Sequence, residues 1–401
     1  MPGSFSYESL LSRRLPLPPD RAFAGGGRVK YEFGVTLTDP DTFPVEGLWQ
    51  ALGEALRREG RELVFYPPAQ GHEGLRELIA QKLWNQRGAH VDPADVFLSG
   101  GALGAINALL DVFLEPGDVV LVESYTYLGV LNMLLARRAR VVHLPTDDKG
   151  MDTEALERAI RDMAGRGERP KLIFIIPVYQ NPLGVTMSLE RRRRLLEIAQ
   201  EYGVPVLEDD VYADLKFEGE LPPTLYGMDR AGCVLYVSSF SKLAGCGVRL
   251  GYAVVPKVVM EKAALVRFGG TASGLASMTV YEYLRHNLED HIEEINASLK
   301  MKRDAMLSAL GEYFPPSCDW SRPQGGMHIW VRLPQGGDTL AVLPKAVEMG
   351  VRYNPGPLFH AQREGKNRLR LCFSYNTREE IREGVALLSS VLEREGLFGR
   401  S

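Results

Sequence analysis

The sequence predicts an α/β protein built around a mostly parallel sheet. Short apolar strands alternate with amphipathic helices between residues 45 and 255, which is the pattern that βαβ units produce. Residues 171–177 are almost wholly apolar, as expected of a strand that is buried on both faces inside a parallel sheet. Polar clusters follow the strands repeatedly, and the ligands of open α/β sheets bind at that carboxyl edge.

The N-terminal elements follow from local signals. Residues 1–45 are rich in proline, glycine and arginine, and we expect them to form an arm that lies on the C-terminal domain or on a neighbouring subunit, with one short helix over residues 6–15. Three leucines at helical spacing predict a helix over residues 45–58. The two prolines after Tyr66 favour an extended turn, and the next helix is predicted for residues 71–86.

A glycine turn joins the first predicted sheet strand to its helix. The strand at residues 96–98 runs into Ser99-Gly100-Gly101-Ala102, and the helix follows at residues 103–113. Glycines let the backbone approach a ligand closely, and the exposed amides of a helix N-terminus bind anions. The turn therefore predicts an anion site, although a tight βα turn without a ligand would have the same sequence pattern.

The alternation continues to residue 255. Further strands are predicted at residues 118–122, 140–144, 171–177, 205–207, 234–237 and 252–255. Between them, one helix is predicted to end at residue 136, and two others are predicted for residues 153–163 and 189–202. Together these elements predict one large domain over residues 46–290.

The C-terminal part has a different pattern. Helical segments over residues 277–310 precede two predicted strands, at residues 326–332 and 368–373. Thr377 and Glu380 have the spacing of a capping box, which predicts that the final helix begins there. We expect a smaller α+β domain over residues 291–401.

Composition excludes several classes of function. The formal net charge of −4 provides no field that would favour nucleic acid or an anionic membrane. No apolar run approaches the roughly 18–20 residues of a membrane helix, and the N-terminus lacks a signal-peptide core. The four cysteines have no CxxC spacing and the seven histidines form no metal-binding pattern, so we expect reduced thiols, no metal and a cytoplasmic protein.

The stretch from Ser238 to Tyr252 carries the strongest chemical signal. Lys242 stands among serine hydroxyls, and Arg249 follows it after a Gly-Cys-Gly segment. A lysine amine can form a Schiff base with an aldehyde, while hydroxyls and an arginine suit a phosphate. An aldehyde that carries a phosphate points to pyridoxal 5′-phosphate (PLP). The alternative is a polar surface loop with an ordinary lysine.

Other polar residues could supply what the PLP ring requires. Asp209 follows an apolar strand and could hold the pyridine nitrogen as a cation. Asn181 and Tyr212 could donate hydrogen bonds to the ring hydroxyl, and Arg370 could bind a substrate carboxylate bidentately. The remaining candidates bind the ring face or the phosphate: Tyr127 for the ring, and Gly100, Gly101, Ala102, Ser239 and Arg249 for the phosphate.

These motifs, in this order, resemble the class I/II aminotransferases of PLP fold type I, in the branch with kynurenine and 2-aminoadipate aminotransferases and the aminotransferase-like domain of some bacterial regulators. The resemblance extends from about Phe43 to Leu392. Its markers are Tyr66 with Gly71, the Gly100 turn, Asn181-Pro182-x-Gly184, Asp209-x-x-Tyr212, Ser239-x-x-Lys242 with Arg249, and Asn367-x-x-Arg370.

The resemblance implies a fold and a set of roles. It implies a large domain with a mixed, mostly parallel seven-stranded sheet, and a homodimer in which Tyr66 reaches the neighbour's PLP phosphate. Lys242, Asp209 and Tyr212 would be catalytic, and Arg370 with Asn181 would bind the substrate. The implied reaction moves an amino group between an α-amino acid and a 2-oxo acid through a Schiff base on Lys242.

Four departures from the family pattern keep other chemistries open. Gly101-Ala102 replaces Ser-Gln, Tyr125 replaces a proline, Leu243 replaces a threonine, and residues 34–41 replace the usual Gly-Gly-x-Pro run. The alternative function is a biosynthetic PLP enzyme that catalyses β- or γ-elimination or substitution, decarboxylation, oxidation or C–C bond formation. An effector domain of a regulator and an inactive scaffold are the non-enzymatic alternatives.

Overall fold

The computed structural model describes residues 29–267 and 272–399 of the chain. The short helix predicted over residues 6–15 lies outside these ranges. Within them, the α-helices are, in chain order, α1 (Val45–Glu59), α2 (Glu73–Arg87), α3 (Ala102–Phe113), α4 (Leu128–Ala136), α5 (Thr153–Ala164), α6 (Leu189–Tyr202), α7 (Leu225–Met228), α8 (Lys257–Val266), α9 (Gly274–Tyr313), α10 (Thr339–Glu348) and α11 (Arg378–Arg394).

The strands of the same ranges are mostly short. They are β1 (Tyr31–Glu32), β2 (Val96–Ser99), β3 (Val119–Glu123), β4 (Arg140–Leu144), β5 (Thr146–Asp147), β6 (Gly150–Met151), β7 (Pro170–Ile175), β8 (Val206–Asp209), β9 (Val234–Ser239), β10 (Gly251–Val254), β11 (Asp319–Trp320), β12 (His328–Arg332), β13 (Val351–Arg352), β14 (Asn354–Pro355) and β15 (Arg368–Cys372).

A seven-stranded sheet forms the centre of the larger part, as the resemblance implied. Its strand order is β2-β10-β9-β8-β7-β3-β4, and β10 alone runs antiparallel to its two neighbours. Apolar side chains on both faces of the sheet are buried against helices, which explains the continuous apolar runs of its inner strands. Because β7, β8 and β9 are parallel, their carboxyl ends bring polar residues to one edge of the sheet.

The C-terminal part contains a four-stranded antiparallel sheet with the order β11-β12-β15-β14. The described end of the predicted arm contacts this part, because β1 pairs in parallel with β13. Helix α9 runs for 40 residues without a break across the boundary predicted at residue 290. The domain boundaries therefore stay a prediction, and a continuous helix connects the two regions.

Some elements have no signal that the sequence analysis could use. The β5–β6 hairpin and strands β13 and β14 are two residues long, which is too short for a periodic pattern. Helix α10 contains Pro344, a residue that argues against a helix interior. By contrast, the capping box at Thr377 is present, with both reciprocal hydrogen bonds to Glu380. No helix in the described ranges combines the length and the apolar character that crossing a membrane requires.

Candidate active site

A cavity of about 480 Å³ lies at the carboxyl edge of the large sheet, beside the C-terminal sheet. Strands β8 and β9 bring Asp209 and Ser239 to it, and β15 brings Arg370 from the opposite side. The lining includes most of the predicted site residues: Ala102, Tyr127, Asn181, Asp209, Tyr212, Ser239, Lys242, Arg249 and Arg370. Residues from distant parts of the sequence therefore meet in one place.

Lys242 lies in the tight turn that follows β9, with its side chain buried. Its Nζ donates a hydrogen bond to the carbonyl oxygen of Thr36 at 3.0 Å and lies 3.8 Å from Sγ of Cys246. Burial lowers the pKa of Lys242, because the ammonium form loses water that the cavity does not replace. A larger fraction of this amine is therefore neutral, which a nucleophile and proton acceptor requires.

Asp209 is the last residue of β8 and is also buried. Among the described residues, no group donates a hydrogen bond to its Oδ1. Burial, followed by the neighbouring carboxylate of Asp210, raises the pKa of Asp209 to about 7. A buried carboxylate oxygen that lacks a donor fits a cationic N–H group, which would supply the missing hydrogen bond and restore the ionised form.

Asn181, Tyr212 and Arg370 form a buried hydrogen-bonded chain. Arg370 Nη1 donates to Oδ1 of Asn181 at 2.8 Å, and Nδ2 of Asn181 donates to Oη of Tyr212 at 3.2 Å. Arg370 Nη2 donates to the carbonyl oxygen of Gly34. The guanidinium lies 5.3 Å from the ring centroid of Phe359. Burial lowers the pKa of Arg370, but an arginine stays charged at neutral pH, so this cation is available to a carboxylate.

The opposite end of the cavity has the features of an anion site. Helix α3 begins at Ala102, and Gly101 precedes it with a φ of 84°. Arg249 Nη2 donates to the carbonyl oxygen of Gly100 at 3.0 Å, and a Cβ on Gly101 would lie 2.8 Å from the same nitrogen. Oγ of Ser239 lies 2.9 Å from Oγ of Ser241. Helix amides, hydroxyls and an arginine suit a phosphate, and glycine leaves room for the arginine.

The predicted aromatic residues lie in different places. Tyr127 precedes α4 and lines the cavity, whereas Tyr125 packs against Trp330 outside it. Tyr66 is 97% exposed in the single chain and does not line the cavity. The fold of one chain therefore brings Tyr127 to the site and leaves Tyr66 on the surface.

Three residues of the site were missed by the sequence analysis. Thr36 accepts the hydrogen bond of Lys242, Cys246 lies beside the same amine, and Nε2 of His328 lies 2.9 Å from Oγ1 of Thr36. Burial, followed by the nearby charges of Arg370 and Lys242, lowers the pKa of His328 well below its usual value, so this ring is neutral. A signal was available for Thr36, since it lies in the segment of residues 34–41 that departs from the family pattern.

Comparisons with known proteins agree with this geometry. Residues 33–388 match the family described as aminotransferase class I and II. The chain is 34% identical to aromatic-amino-acid aminotransferase 1 of Thermococcus litoralis over 362 residues, which are 90% of this chain and 87% of that protein.

Two solved structures are similar over almost the whole chain. The multiple substrate aminotransferase of Thermococcus profundus has a TM-score of 0.91 at 32% identity, and the match covers 98% of this chain and 99% of that one. The kynurenine aminotransferase of Pyrococcus horikoshii, solved with PMP, has a TM-score of 0.89 at 32% identity, with 98% and 97% covered.

The fold and the cavity define a PLP-dependent enzyme, with a buried lysine, a buried carboxylate and the features of an anion site in one cleft. The chain belongs to the class I and II aminotransferase family. It is a PLP-dependent aminotransferase, which moves an amino group between an α-amino acid and a 2-oxo acid. The predicted fold, cofactor and reaction class are thus confirmed, and the roles of individual residues are proposed below.

Proposed function

We propose that Lys242 is the residue that binds PLP and moves the proton during transamination. The observation that carries this proposal is the convergence of three buried groups in one cavity: the amine of Lys242, the carboxylate of Asp209, whose Oδ1 has no donor among the described residues, and the guanidinium of Arg370. The reaction requires a nucleophile that also acts as a base, which Lys242 would be. It also requires an anion beside the ring cation and a cation for the substrate carboxylate, which Asp209 and Arg370 would supply.

Each end of the cavity has residues that would hold a part of the cofactor. Asp209 would hold the ring nitrogen, and Tyr212 with Asn181 would hold the ring hydroxyl. Tyr127 would cover a ring face. The phosphate would be held by Ser239, Arg249 and the amides of Gly100, Gly101 and Ala102.

The chain's own residues then position the substrate and move its proton. When bound, PLP draws electrons from the substrate α-carbon. Arg370 binds the α-carboxylate and so orients the α-carbon. Nζ of Lys242, whose pKa is lowered by burial, accepts the proton from the α-carbon and would return it to C4′ of the cofactor. Asp209 would stay ionised next to the ring cation.

The substrate side chain faces a largely apolar surface. Apart from Asp209, Lys242, Arg249 and Arg370, the described lining of the cavity carries no charged side chain. Apolar groups complete much of it: Val35, Leu37, Leu128, Ile176, Val211 and Phe359. The four charges all have roles with the cofactor or with the α-carboxylate, so we propose amino acids with large neutral side chains as substrates.

Leucine and aspartate are similar in size and test this proposal. With leucine or phenylalanine, kcat/KM is expected to exceed that with aspartate by at least about a hundredfold, because a second carboxylate would be buried without a partner. The measurement mixes holoenzyme with one amino acid and no oxo acid, and follows the absorbance of the bound cofactor.

Conversion of the cofactor to its amine form, once per site, supports transamination. Asparagine serves as the control, since it has the shape of aspartate without the charge. Equal rates for leucine and aspartate would refute the substrate class. Continuous turnover without an oxo acid would instead favour the elimination and decarboxylation alternatives.

A homodimer is also proposed, and an exposed apolar surface supports it. Trp49 on α1 and the segment Leu63–Tyr66 are exposed in the single chain, with Phe65 67% and Tyr66 97% accessible. Large apolar side chains that are exposed in this number are typical of an interface. A second copy is the occupant that the family resemblance implies, with Tyr66 reaching the neighbour's phosphate.

Tyr66→Phe is expected to weaken PLP binding about tenfold, because one hydrogen bond to a charged phosphate is lost. The measurement is titration of apoenzyme with PLP, alongside sedimentation analysis, which is expected to give the mass of two chains. Tyr202→Phe, remote from this surface, is the control. A sedimenting species with the mass of one chain would contradict the dimer, and unchanged affinity would remove Tyr66 from the site.

We also propose that the enzyme is cytoplasmic. All four cysteines are free in the structure, which supports a reducing compartment.

A further inference from the structure

Residues 34–41, named here the strap, run across the cavity from β1 to the start of α1. The first residues of the strap are tied to strand β13 through Glu32. Oε1 of Glu32 accepts hydrogen bonds from the amides of Gly34 and Val35, at 3.0 and 3.2 Å. The other carboxylate oxygen of Glu32 accepts from Arg352 Nη1 at 2.7 Å. The strap therefore begins at a fixed position beside β13.

The strap carbonyls contact both cations that handle the substrate. The carbonyl oxygen of Gly34 accepts from Arg370, and that of Thr36 accepts from Nζ of Lys242 at 3.0 Å. The carbonyl oxygen of Leu37 accepts from Oγ of Ser374 at 2.5 Å. A shift of the strap would thus move the acceptors of the carboxylate-binding group and of the catalytic amine together.

The strap also contacts the loop that carries Lys242. Oγ1 of Thr38 donates to the carbonyl oxygen of Ser241 at 3.0 Å and accepts from the amide of Cys246 at 3.2 Å. Sγ of Cys246 lies 3.5 Å from Oγ1 of Thr38 and 3.7 Å from the carbonyl oxygen of Thr36. The strap therefore covers the thiol of Cys246 as well as the lysine.

A buried ion pair holds the strap near its C-terminal end. Oδ1 of Asp39 accepts from Nζ of Lys302 on α9 at 2.7 Å, and Oδ2 of Asp39 accepts from Oγ of Ser298 at 2.5 Å. Lys302 Nζ also donates to the carbonyl oxygen of Ser374 at 3.3 Å. Oδ2 of Asp41 lies 3.2 Å from the same Nζ. Both partners of the pair are buried, so removing Lys302 would leave the carboxylate of Asp39 without a cation, whereas removing Asp39 would leave Lys302 with only the exposed Asp41 as its anionic partner.

We infer that the Asp39–Lys302 pair is a positioning latch, which holds the strap so that Lys242 and Arg370 keep their geometry. Asp39 lies only three residues beyond Thr36, and Ser374 is shared between Lys302 and the carbonyl of Leu37. Neither latch residue lines the cavity, so the pair acts through the strap and is not itself catalytic. The inference gives the atypical segment a function and rests on the proposed role of Lys242.

The variants Asp39→Asn and Lys302→Met test the latch in the holoenzyme. Each is expected to lower kcat by at least about tenfold, since displacement of a reacting group by about 1 Å can cost a hundredfold in rate. Each is also expected to raise the rate at which iodoacetamide labels Cys246 by about tenfold, because an unlatched strap opens more often. Peptide mass spectrometry measures labelling of Cys246, with Cys233 as the internal control.

Asp214→Asn is the matched control variant. It breaks the Lys82–Asp214 pair, which is similarly buried at 2.6 Å but lies away from the strap. This variant is expected to lose stability without faster labelling of Cys246. If it labels as fast as Asp39→Asn, general destabilisation explains the effect and the latch is refuted.

The double variant Asp39→Asn with Lys302→Met separates the latch from the cost of an unpaired charge. It is expected to regain thermal stability relative to Lys302→Met, because the buried carboxylate of Asp39 is no longer left without a cation, while Cys246 stays rapidly labelled. If labelling returns to the wild-type rate together with stability, the inference is wrong. Labelling of Cys246 does not require catalysis. The labelling result therefore tests the latch even if the proposed role of Lys242 is wrong.

Discussion

Lys242→Ala is expected to lower the rate of transamination by at least about 10⁴-fold, because one substitution removes both the nucleophile that binds PLP and the base that moves the proton. The structure makes this loss hard to compensate. Lys242 is the only lysine among the described residues that line the cavity. The measurement is the single-turnover rate with leucine, together with borohydride reduction and peptide mass spectrometry.

The borohydride experiment identifies the lysine directly. In the wild-type holoenzyme, reduction is expected to attach the cofactor to the peptide that contains Lys242, and in the variant no lysine is expected to carry it. Lys257→Ala removes an exposed lysine at the start of α8 and serves as the control for charge loss. Attachment to another lysine of the wild-type enzyme would overturn the assignment of the site.

Asp209→Asn is expected to lower kcat at least about a hundredfold, which is the size of effect seen when one preorganised electrostatic group is removed from an active site. Asparagine keeps the shape of the side chain but cannot pair with a ring cation. The measurement is the same single-turnover rate, with Asp290→Asn on the exposed face of α9 as the control for loss of one negative charge. A rate within about threefold of wild type would exclude an electrostatic role for Asp209.

The pKa of Asp209 adds a dependence on pH. Burial and the charge of Asp210 raise this pKa to about 7 in the absence of a partner, so below that pH the side chain is neutral and must lose its proton before it can pair with a cation. The affinity of apoenzyme for PLP is therefore expected to fall about tenfold per pH unit as the pH decreases below about 7. Titration with PLP across this range measures it.

PLP itself also changes its protonation with pH, so the same titration is done with Asp209→Asn. The difference between the two curves then reports the contribution of Asp209 alone. The variant is expected to bind weakly at all pH values and to lack the dependence that Asp209 causes. Parallel curves for the wild type and the variant would mean that the dependence belongs to the cofactor or to another group.

Much of the fold could be predicted because its signals are local. The strand at residues 140–144 and the helix at residues 189–202 have the predicted bounds, since apolar periodicity and turn residues mark their ends. The capping box at Thr377 was equally readable. Strands β13 and β14 were not, because two residues acquire a strand conformation only from the partner that they pair with.

The candidate site was predicted to a similar extent. Asp209 and Lys242 were predicted as site residues because each stands at or just beyond the carboxyl end of a buried strand, and parallel strands bring these ends to one edge of the sheet. The contact between Thr36 and Lys242 joins residues 206 positions apart, and no local pattern encodes such a pairing. Tyr66 stays a prediction, since the fold of one chain leaves it on the surface.

The sequence by itself determined the α/β class, the cofactor and the lysine that we propose to bind it, because strand periodicity and the chemistry of short motifs are written in neighbouring residues. Only the tertiary structure decided that Oδ1 of Asp209 has no donor among the described residues, that Arg370 and Lys242 share the strap as acceptor, and that Asp39 pairs with Lys302. Burial and hydrogen-bond satisfaction depend on what the rest of the chain places around a side chain, and the folded molecule alone specifies those surroundings.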